Sequence, residues 1–189
     1  MQDTTHELGM SETARHWLAG ILAHVPALEA LCAPTESCYT RHGAWAPAKA
    51  DWGLDDRMRC VRVQSSPELG YNCFMELRLP SAAANPYLIV AGMVAAGLDG
   101  LKRKLPLAPK ADPTATAVPL SLAESLAALE ADEYMVQALG STLIRWFGIV
   151  KRAEMAAVAE KMKGYPQSDE EAQLVGMTKA MQEMFVEYV

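Results

Sequence analysis

The residues in this sequence that are best suited to chemistry are four arginines and one glutamate between positions 41 and 78. They are Arg41, Arg57, Arg62, Glu76 and Arg78. A guanidinium offers planar pairs of donors that match phosphate and carboxylate oxygens, so a cluster of arginines suits an anion-binding site. Glu76 and Arg78 are two residues apart in an alternating apolar segment, and a strand would place both side chains on one face. The pattern alone favours a solvent-facing polar side of an amphipathic sheet over a binding site.

The histidines and cysteines add no recognisable metal or nucleophile motif. The four histidines lack the HxH and HExxH spacings, and no Ser-His-Asp arrangement or glycine-rich phosphate loop is found. The four cysteines contain no CxxC pair, which favours free, buried thiols in a reducing compartment. These residues are His6, His16, His24, His42, Cys32, Cys38, Cys60 and Cys73. The sequence therefore predicts a cytoplasmic protein whose chemistry depends on arginines and a carboxylate.

The elements that must hold these residues are two strands and a preceding helix. Ser11 is a favourable N-cap for a helix that extends to about Ala33, and Pro26 is expected to kink or split it. The segments Met58 to Gln64 and Cys73 to Leu79 are typical of strands. The stretch "SSPELGYN" between them has the composition of a hairpin connection.

The remainder of the chain is predicted to be helical. A long helix runs from Pro86 to about Leu105, Ser121 and Glu124 form a capping box, and a later helix is broken at Gly164. Ser168 is expected to cap a last helix. The predicted fold class is α+β, with few antiparallel strands, several packed helices and an all-helical C-terminal region. Because two strands cannot cover so many apolar helix faces, we expect that further strands are missing or that partners supply them.

The composition bounds the range of functions. The 189 residues are 51% hydrophobic, enough for one substantial core, and the formal net charge is −6. This charge and the lack of a basic stripe argue against a nucleic-acid binder. The longest apolar runs, Leu18 to Leu28 and Tyr87 to Leu98, are shorter than the roughly 20 residues of a membrane-spanning helix. No secretory signal is expected at the N-terminus.

Several segments together resemble the glutamine synthetase family, in the C-terminal half of its catalytic domain. The segment "MSETARHWLAGILAHVPALEALCAPT" is similar to the helix that follows the family's metal-binding histidine segment. "WGLDDRMRCVRV" resembles its WG-x-x-NR…IR region, and "MELRLPSAAANPYL" resembles its E-x-R-x-P…ANPYL signature. Each piece is weak alone, but their combination over roughly Leu8 to Ala156 is specific. The resemblance implies that residues 1–164 form part of the catalytic domain and that residues 165–189 form a helical C-terminal extension.

The resemblance also implies an activity and a role for each candidate residue. The family phosphorylates the γ-carboxylate of glutamate with ATP, and ammonia or an amine then displaces the phosphate, in a funnel between subunits of a ring-type homo-oligomer. By this resemblance Glu76 would bind Mg²⁺ or Mn²⁺ and Arg78 would bind the glutamate carboxylate. Arg41 would contact glutamate or the acyl phosphate, and Arg57 and Arg62 would bind the ATP phosphates. Arg41 and Arg57 are the expected catalytic residues.

The sequence departs from the family pattern within the matched region. The loop after Arg41 is two residues shorter than usual, and Trp45 replaces the glutamate that closes the site and takes a proton from ammonium. Asp56 and Ser37 stand where asparagines are usual, and Phe74 stands where bacterial members often have arginine. Of these differences, the Trp45 loop is the one that points to an amine rather than ammonia as the nucleophile, and both nucleophiles stay open.

Segments that carry most of the family's metal ligands have no counterpart in this chain. They are the N-terminal β-grasp domain and the first half of the catalytic domain, with the Glu-x-Glu pair, the other metal glutamates, the metal histidine and the adenine pocket. We therefore expect the isolated chain to be inactive. Three interpretations stay open: part of a γ-glutamyl amide ligase, a non-catalytic lengsin-like assembly protein, and a truncated product.

Overall fold

The computed structural model describes residues 10–66, 71–166 and 168–185. Within these residues there are eight helices and one three-stranded sheet, which confirms the predicted α+β class. The helices are α1 (Glu12–Ala23), α2 (Val25–Cys32), α3 (Glu36–Tyr39), α4 (Pro86–Arg103), α5 (Leu122–Ala131), α6 (Glu133–Leu139), α7 (Ser141–Met162) and α8 (Glu170–Phe185). The strands are β1 (Trp52–Leu54), β2 (Val61–Ser66) and β3 (Tyr71–Leu77). No helix in these described ranges is long and apolar enough to cross a membrane.

The first predicted helix is two helices that meet at His24. The Ser11 hydroxyl accepts a hydrogen bond from the Ala14 N–H at 3.1 Å, which confirms the predicted N-cap of α1. Pro26 lies in the first turn of α2, where its missing N–H costs no intrahelical hydrogen bond. The proline therefore divides the segment, one of the two predicted outcomes.

The sheet has the order β1-β2-β3 and places the candidate residues opposite one another. β2 pairs with β3 in antiparallel register, with Arg62 facing Glu76. β1 was not predicted, and it pairs with β2 in parallel, so the expectation of antiparallel strands alone is corrected. Three residues are too few to show an alternating pattern in a sequence.

The boundaries of the two predicted strands also shift. β2 begins at Val61 rather than Met58, because residues 57–60 turn instead of extending. β3 ends at Leu77 rather than Leu79. The predicted hairpin connection, 65–72, includes residues 67–70, which lie outside the described residues.

The two faces of the sheet differ as the alternation predicted. Val61 and Val63 of β2 and Leu79 after β3 are fully buried and join the hydrophobic core. Arg62 and Glu76 lie on the opposite face. Burial of the valines and the leucine therefore fixes which face of β2 and β3 presents charge.

The C-terminal helices begin and end near the predicted signals. The Ser121 hydroxyl accepts from the Glu124 N–H at 3.2 Å, and the Glu124 carboxylate accepts from the Leu120 N–H at 2.9 Å. α7 ends at Met162, two residues before Gly164. The predicted Ser168 cap is wrong: Asp169 caps α8 by accepting from the Ala172 N–H at 2.8 Å. A carboxylate is also the better partner for the positive end of a helix.

A buried histidine network joins three of these helices. His24, between α1 and α2, places Nδ1 2.5 Å from Asp132 and Nε2 3.0 Å from Asp99 of α4. Asp99 also accepts from Arg103 at 2.9 Å. Burial opposes a charge on His24, but the two carboxylates outweigh it and raise the pKa of His24 above its ordinary value of 6.5. The two carboxylates therefore favour the imidazolium form of His24.

This network should make the stability of the fold fall as the pH rises. Because the folded pKa of His24 is raised, its contribution is complete below about pH 6.5 and is lost as the pH rises through the folded value. Asp132→Asn keeps the cap of α6 but removes one carboxylate, so we expect a loss of about 1–3 kcal/mol near pH 6 that shrinks at higher pH. Urea unfolding of both proteins at several pH values measures this. Equal losses at low and high pH would contradict the interpretation.

Candidate functional site

Glu76 lies between two arginines on the polar face of the sheet. Its Oε2 is 3.1 Å from Nη1 of Arg62, which faces it across the β2–β3 pair. Its Oε1 is 3.6 Å from Nε of Arg78, two residues along the same strand direction. The Arg78 N–H donates to the Cys60 carbonyl at 2.9 Å, so the β pairing continues past Leu77 and holds Arg78 on this face.

Arg78 has donor capacity that its neighbours do not use. Its side chain is largely buried, with 18% exposed. Nη1 is buried and has no hydrogen-bond partner among the described residues. A buried guanidinium nitrogen without an acceptor is unfavourable, because it has lost its water without a replacement. The site therefore lacks an acceptor at this nitrogen, and a carboxylate or phosphate oxygen would supply one.

Asp55 is a member of this cluster that the sequence analysis missed. It lies just after β1, with φ at 48°, and its Oδ1 accepts from Nε of Arg62 at 2.9 Å and also from Nη2. The hydrogen bonds from Arg62 lower the pKa of Asp55 below its ordinary value. Aspartate tolerates the left-handed region better than most residues, so the Asp-Asp pair of "WGLDDR" is the signal that could have indicated it.

Arg57 lies on the turn between β1 and β2 and is exposed. Its positive charge also lowers the pKa of Asp55, after the larger effect of Arg62, so the two arginines share one acidic neighbour. Arg59, in contrast, has a structural role: it donates to Asp51 at 2.7 Å and to Asp56 at 2.8 Å. This turn therefore presents Arg57 to solvent beside Arg62.

Arg41 lies in a separate cleft of about 680 Å³. Its lining includes Ser37, Arg41, Ser81, Ala82, Lys151 of α7 and Met181 of α8. Ser81 comes three residues after Arg78 in the sequence. Lys151 is engaged by Glu154 at 2.8 Å, so among the described lining residues Arg41 is the cation available to an anion.

The structure thus brings some of the predicted site residues into direct contact, whereas others lie near them without a direct contact. Arg62, Glu76 and Arg78 form one ion-paired cluster. Arg57 borders this cluster through Asp55, and Arg41 lines the adjoining cleft. Arg57, Arg62 and Arg78 thus lie around two carboxylates, the half-exposed Glu76 and the exposed Asp55. Guanidinium groups gathered in this way suit a multiply charged anion.

The described residues do not by themselves fit a divalent metal ion. Glu76 is a single carboxylate, and both of its oxygens already face guanidinium groups. In the described ranges no group of three or more histidine, cysteine, aspartate or glutamate side chains could hold a metal. Mg²⁺ and Mn²⁺ prefer several oxygen ligands, so a complete site needs donors beyond these residues.

Comparisons with known proteins give a consistent result. A family model described as glutamine synthetase, catalytic domain, matches residues 1–167. Lengsin of Rattus norvegicus is 39% identical over 155 residues, which cover 76% of this chain and 27% of that protein. The glutamate–methylamine ligase of Methyloversatilis universalis is 38% identical over 156 residues, covering 71% of this chain and 34% of the ligase.

A solved structure gives the same family likeness in three dimensions. The GmaS/ADP complex superposes with a TM-score of 0.74 at 30% identity, covering 98% of this chain and 42% of the solved chain. This chain therefore spans about a quarter to two fifths of the proteins that it matches.

Proposed function

This chain belongs to the glutamine synthetase family, and we propose that it supplies the C-terminal part of the active site of an ATP-dependent glutamate ligase. The reaction would phosphorylate the γ-carboxylate of glutamate and let ammonia or an amine displace the phosphate. The observation that carries the proposal is the Arg62–Glu76–Arg78 cluster with its buried, unpaired Arg78 nitrogen.

We assign the binding of glutamate to Arg78 and Arg41. The unpaired Nη1 of Arg78 and its neighbouring nitrogens can take both oxygens of a carboxylate in one plane. Arg41 lines the adjoining cleft, where it would contact glutamate or the acyl phosphate as negative charge develops there. The two arginines would thus hold the acidic substrate in place between the sheet and the cleft.

Arg57 and Arg62 are the proposed ligands of the ATP phosphates. Phosphoryl transfer depends on positioning and on fixed positive charge around the phosphate oxygens. Arg62 is already oriented by its ion pairs with Asp55 and Glu76. Arg57 is exposed, so its side chain can adjust to the position of the nucleotide. Arg41 and Arg57 are the catalytic residues in this proposal.

Glu76 would be one ligand of Mg²⁺ or Mn²⁺, with the remaining ligands contributed from outside the described residues. The metal would neutralise phosphate charge when bound. Because one carboxylate cannot hold the ion, we propose that the 189 residues alone are inactive. A complete active site, in a ring-type homo-oligomer, would also contain the family's segments that carry the other metal ligands. Two predictions stay untested: the boundary between the catalytic-domain part, residues 1–164, and the helical extension, residues 165–189, and the cytoplasmic location.

Trp45 bears on the choice of nucleophile. It occupies the position of the family's closing glutamate, and its side chain is 82% exposed. An aromatic side chain cannot accept a proton from ammonium, so Trp45 would not replace the glutamate as a general base. Its exposed ring offers instead an apolar surface that an alkyl group could contact. We therefore propose an amine as the preferred nucleophile, in line with the methylamine ligase among the relatives.

A phosphate-release assay tests the function. The isolated chain, with ATP, Mg²⁺ and glutamate, should release no phosphate above background with ammonia, methylamine or a polyamine. A chimera, in which this chain replaces the matching segment of the Methyloversatilis universalis ligase, should release phosphate only when glutamate and an amine are both present. Turnover by the isolated chain would contradict the inactivity proposal.

The second candidate is a non-catalytic assembly protein, favoured by the similarity to lengsin and by Trp45 in place of the closing glutamate. A folded chimera that binds glutamate but turns over with no amine would favour this candidate. Light scattering adds a second criterion, because both candidates require self-association and a clean monomer would count against both.

A further inference from the structure

The Arg41 loop, residues 41–47, folds tightly on its own backbone. The Arg41 carbonyl accepts from the N–H groups of Trp45 at 2.8 Å and Ala46 at 2.9 Å. The Gly43 N–H donates to the Ala46 carbonyl at 2.9 Å, with Gly43 at φ +78°, a conformation that favours glycine. The direction of the Arg41 side chain therefore depends on what holds this loop against the rest of the molecule.

His42 anchors the loop from inside. Its side chain is only 2% exposed, with Nε2 2.9 Å from Oε1 of Glu29 and Nδ1 2.8 Å from the Pro47 carbonyl. The Pro47 carbonyl accepts a hydrogen bond from Nδ1, whereas the Glu29 carboxylate lies against Nε2 without a well-directed hydrogen bond. A negative charge so close to a buried ring favours the imidazolium over the neutral imidazole. The surroundings of His42 therefore favour its charged form.

Glu29, in α2, requires this cation. Its side chain is 0% exposed, and neither oxygen accepts a well-directed hydrogen bond from the described residues. The short contact with His42 is therefore an ion pair held by proximity. A carboxylate buried in this way is strongly unfavourable unless a positive charge lies against it.

The other ionisable groups around Glu29 cannot replace His42. Tyr39, Cys32 and Cys60 interact with Glu29 through its charge, and burial raises the pKa of each, so all three stay neutral. Arg41 also faces His42, and its positive charge opposes protonation of the ring. Burial opposes it further, yet the contact with Glu29 prevails and the pKa of His42 is raised above 6.5.

We propose that His42 is a positioning residue for Arg41: the protonated ring, held between Glu29 and the Pro47 carbonyl, ties the Arg41 loop to α2 and fixes Arg41 in its cleft. Loss of the proton releases the loop and weakens the hold of Arg41 on an acidic substrate. The identity of the substrate in this role rests on the proposed function, whereas the ordering of the loop by His42 is independent of it.

The sign of the pH dependence follows from the raised pKa. The ordering of the loop should be complete below about pH 6.5 and should be lost as the pH rises through the folded value of His42. Glu29→Gln keeps the shape of the side chain but removes its charge, so the loop should loosen at a lower pH than in the unmodified chain.

Hydrogen exchange in the isolated chain tests the inference directly. After correction for the intrinsic exchange rate, protection of the Trp45 and Ala46 amides should fall about tenfold between pH 6 and pH 9. Glu29→Gln should lack this protection near neutral pH. Asp132→Asn is the matched control, because it breaks the other buried histidine pair, at His24, and should leave the loop unchanged. Equal behaviour of the two variants in the loop would overturn the inference.

Two further measurements, by NMR and by kinetics, test the role of His42. If Glu29→Gln does not fold, the ring ¹⁵N shifts of His42 in the unmodified chain decide, since a neutral ring at pH 6 overturns the inference. In the chimera, kcat/KM for glutamate should fall as the pH rises, because Arg41 is proposed both to bind glutamate and to act in catalysis, and Glu29→Gln should move this fall to lower pH. If no chimera uses glutamate while the loop still loosens with pH, the proposed function is wrong, but the ordering of the Arg41 loop by His42 is supported.

Discussion

Replacing Arg78 by glutamine should raise the KM for glutamate in the chimera about 100-fold, because the substrate loses charge-assisted hydrogen bonds in a partly buried site. The buried Nη1 of Arg78 has no hydrogen-bond partner among the described residues, so the substrate can supply an acceptor that its neighbours there do not. Glutamine keeps some length and polarity but has no positive charge. Steady-state kinetics with varied glutamate and saturating ATP measure the effect.

The expected rise in KM reflects lost contacts to the substrate and not damage to the sheet. Glu76 is held by Arg62 at 3.1 Å as well as by Arg78, so removal of Arg78 leaves Glu76 with a partner and the sheet intact. Arg152→Gln is the matched control: it removes an arginine that pairs with Glu130 on exposed helix surfaces and should leave the KM unchanged. An unchanged KM in Arg78→Gln would refute the role given to Arg78.

The secondary structure could be predicted where a local pattern carried the information. The capping residues Ser11 and Ser121 and the break at Pro26 act through their immediate neighbours, and the structure confirms all three. The cap of α8 was assigned one residue too early, because Ser168 and Asp169 are both good N-caps and the sequence does not rank them. Strand β1 is too short to show a period.

The candidate site could be predicted only in part. The alternation of charged and apolar residues indicated that Glu76 and Arg78 share a face, and the register of β2 against β3 confirms it. The function proposed for that face rests on the resemblance to the family, because the pattern alone favours a solvated surface. The structure adds Asp55 to the cluster, because that contact depends on the parallel pairing of the unpredicted β1.

The histidine pairs could not be predicted at all. His42 meets Glu29 through the way in which the Arg41 loop folds over α2, and His24 meets Asp132 across 108 positions of sequence. Such pairs have no spacing signal, because each partner is fixed by the packing of separate helices. Both histidines were assigned no chemistry from the sequence, yet both lie against carboxylates that raise their pKa values.

Gly100→Ala should prevent the chain from folding stably. Where α1 crosses α4, a Cβ on Gly100 would lie 2.1 Å from the His16 carbonyl oxygen and 2.6 Å from the Gly20 nitrogen. These are backbone atoms, which cannot rotate away as a side chain can, so the two helices would have to separate. A Cβ on Gly97, in the same helix, would also be too close to its partner, at 2.4 Å from the ring of Trp17.

Two opposing effects decide the result at Gly100. Alanine favours a helix over glycine by about 1 kcal/mol, which by itself would stabilise α4. Separating two packed helices costs more, roughly 4 kcal/mol, a large share of the 5–15 kcal/mol that stabilises a typical domain. The clash therefore prevails, and the urea midpoint should fall steeply or the transition should vanish. Gly164→Ala is the control, because its Cβ would meet only the Lys161 carbonyl at 3.4 Å and its midpoint should barely move. If the two variants unfold at the same urea concentration, the close crossing of α1 and α4 does not exist in solution.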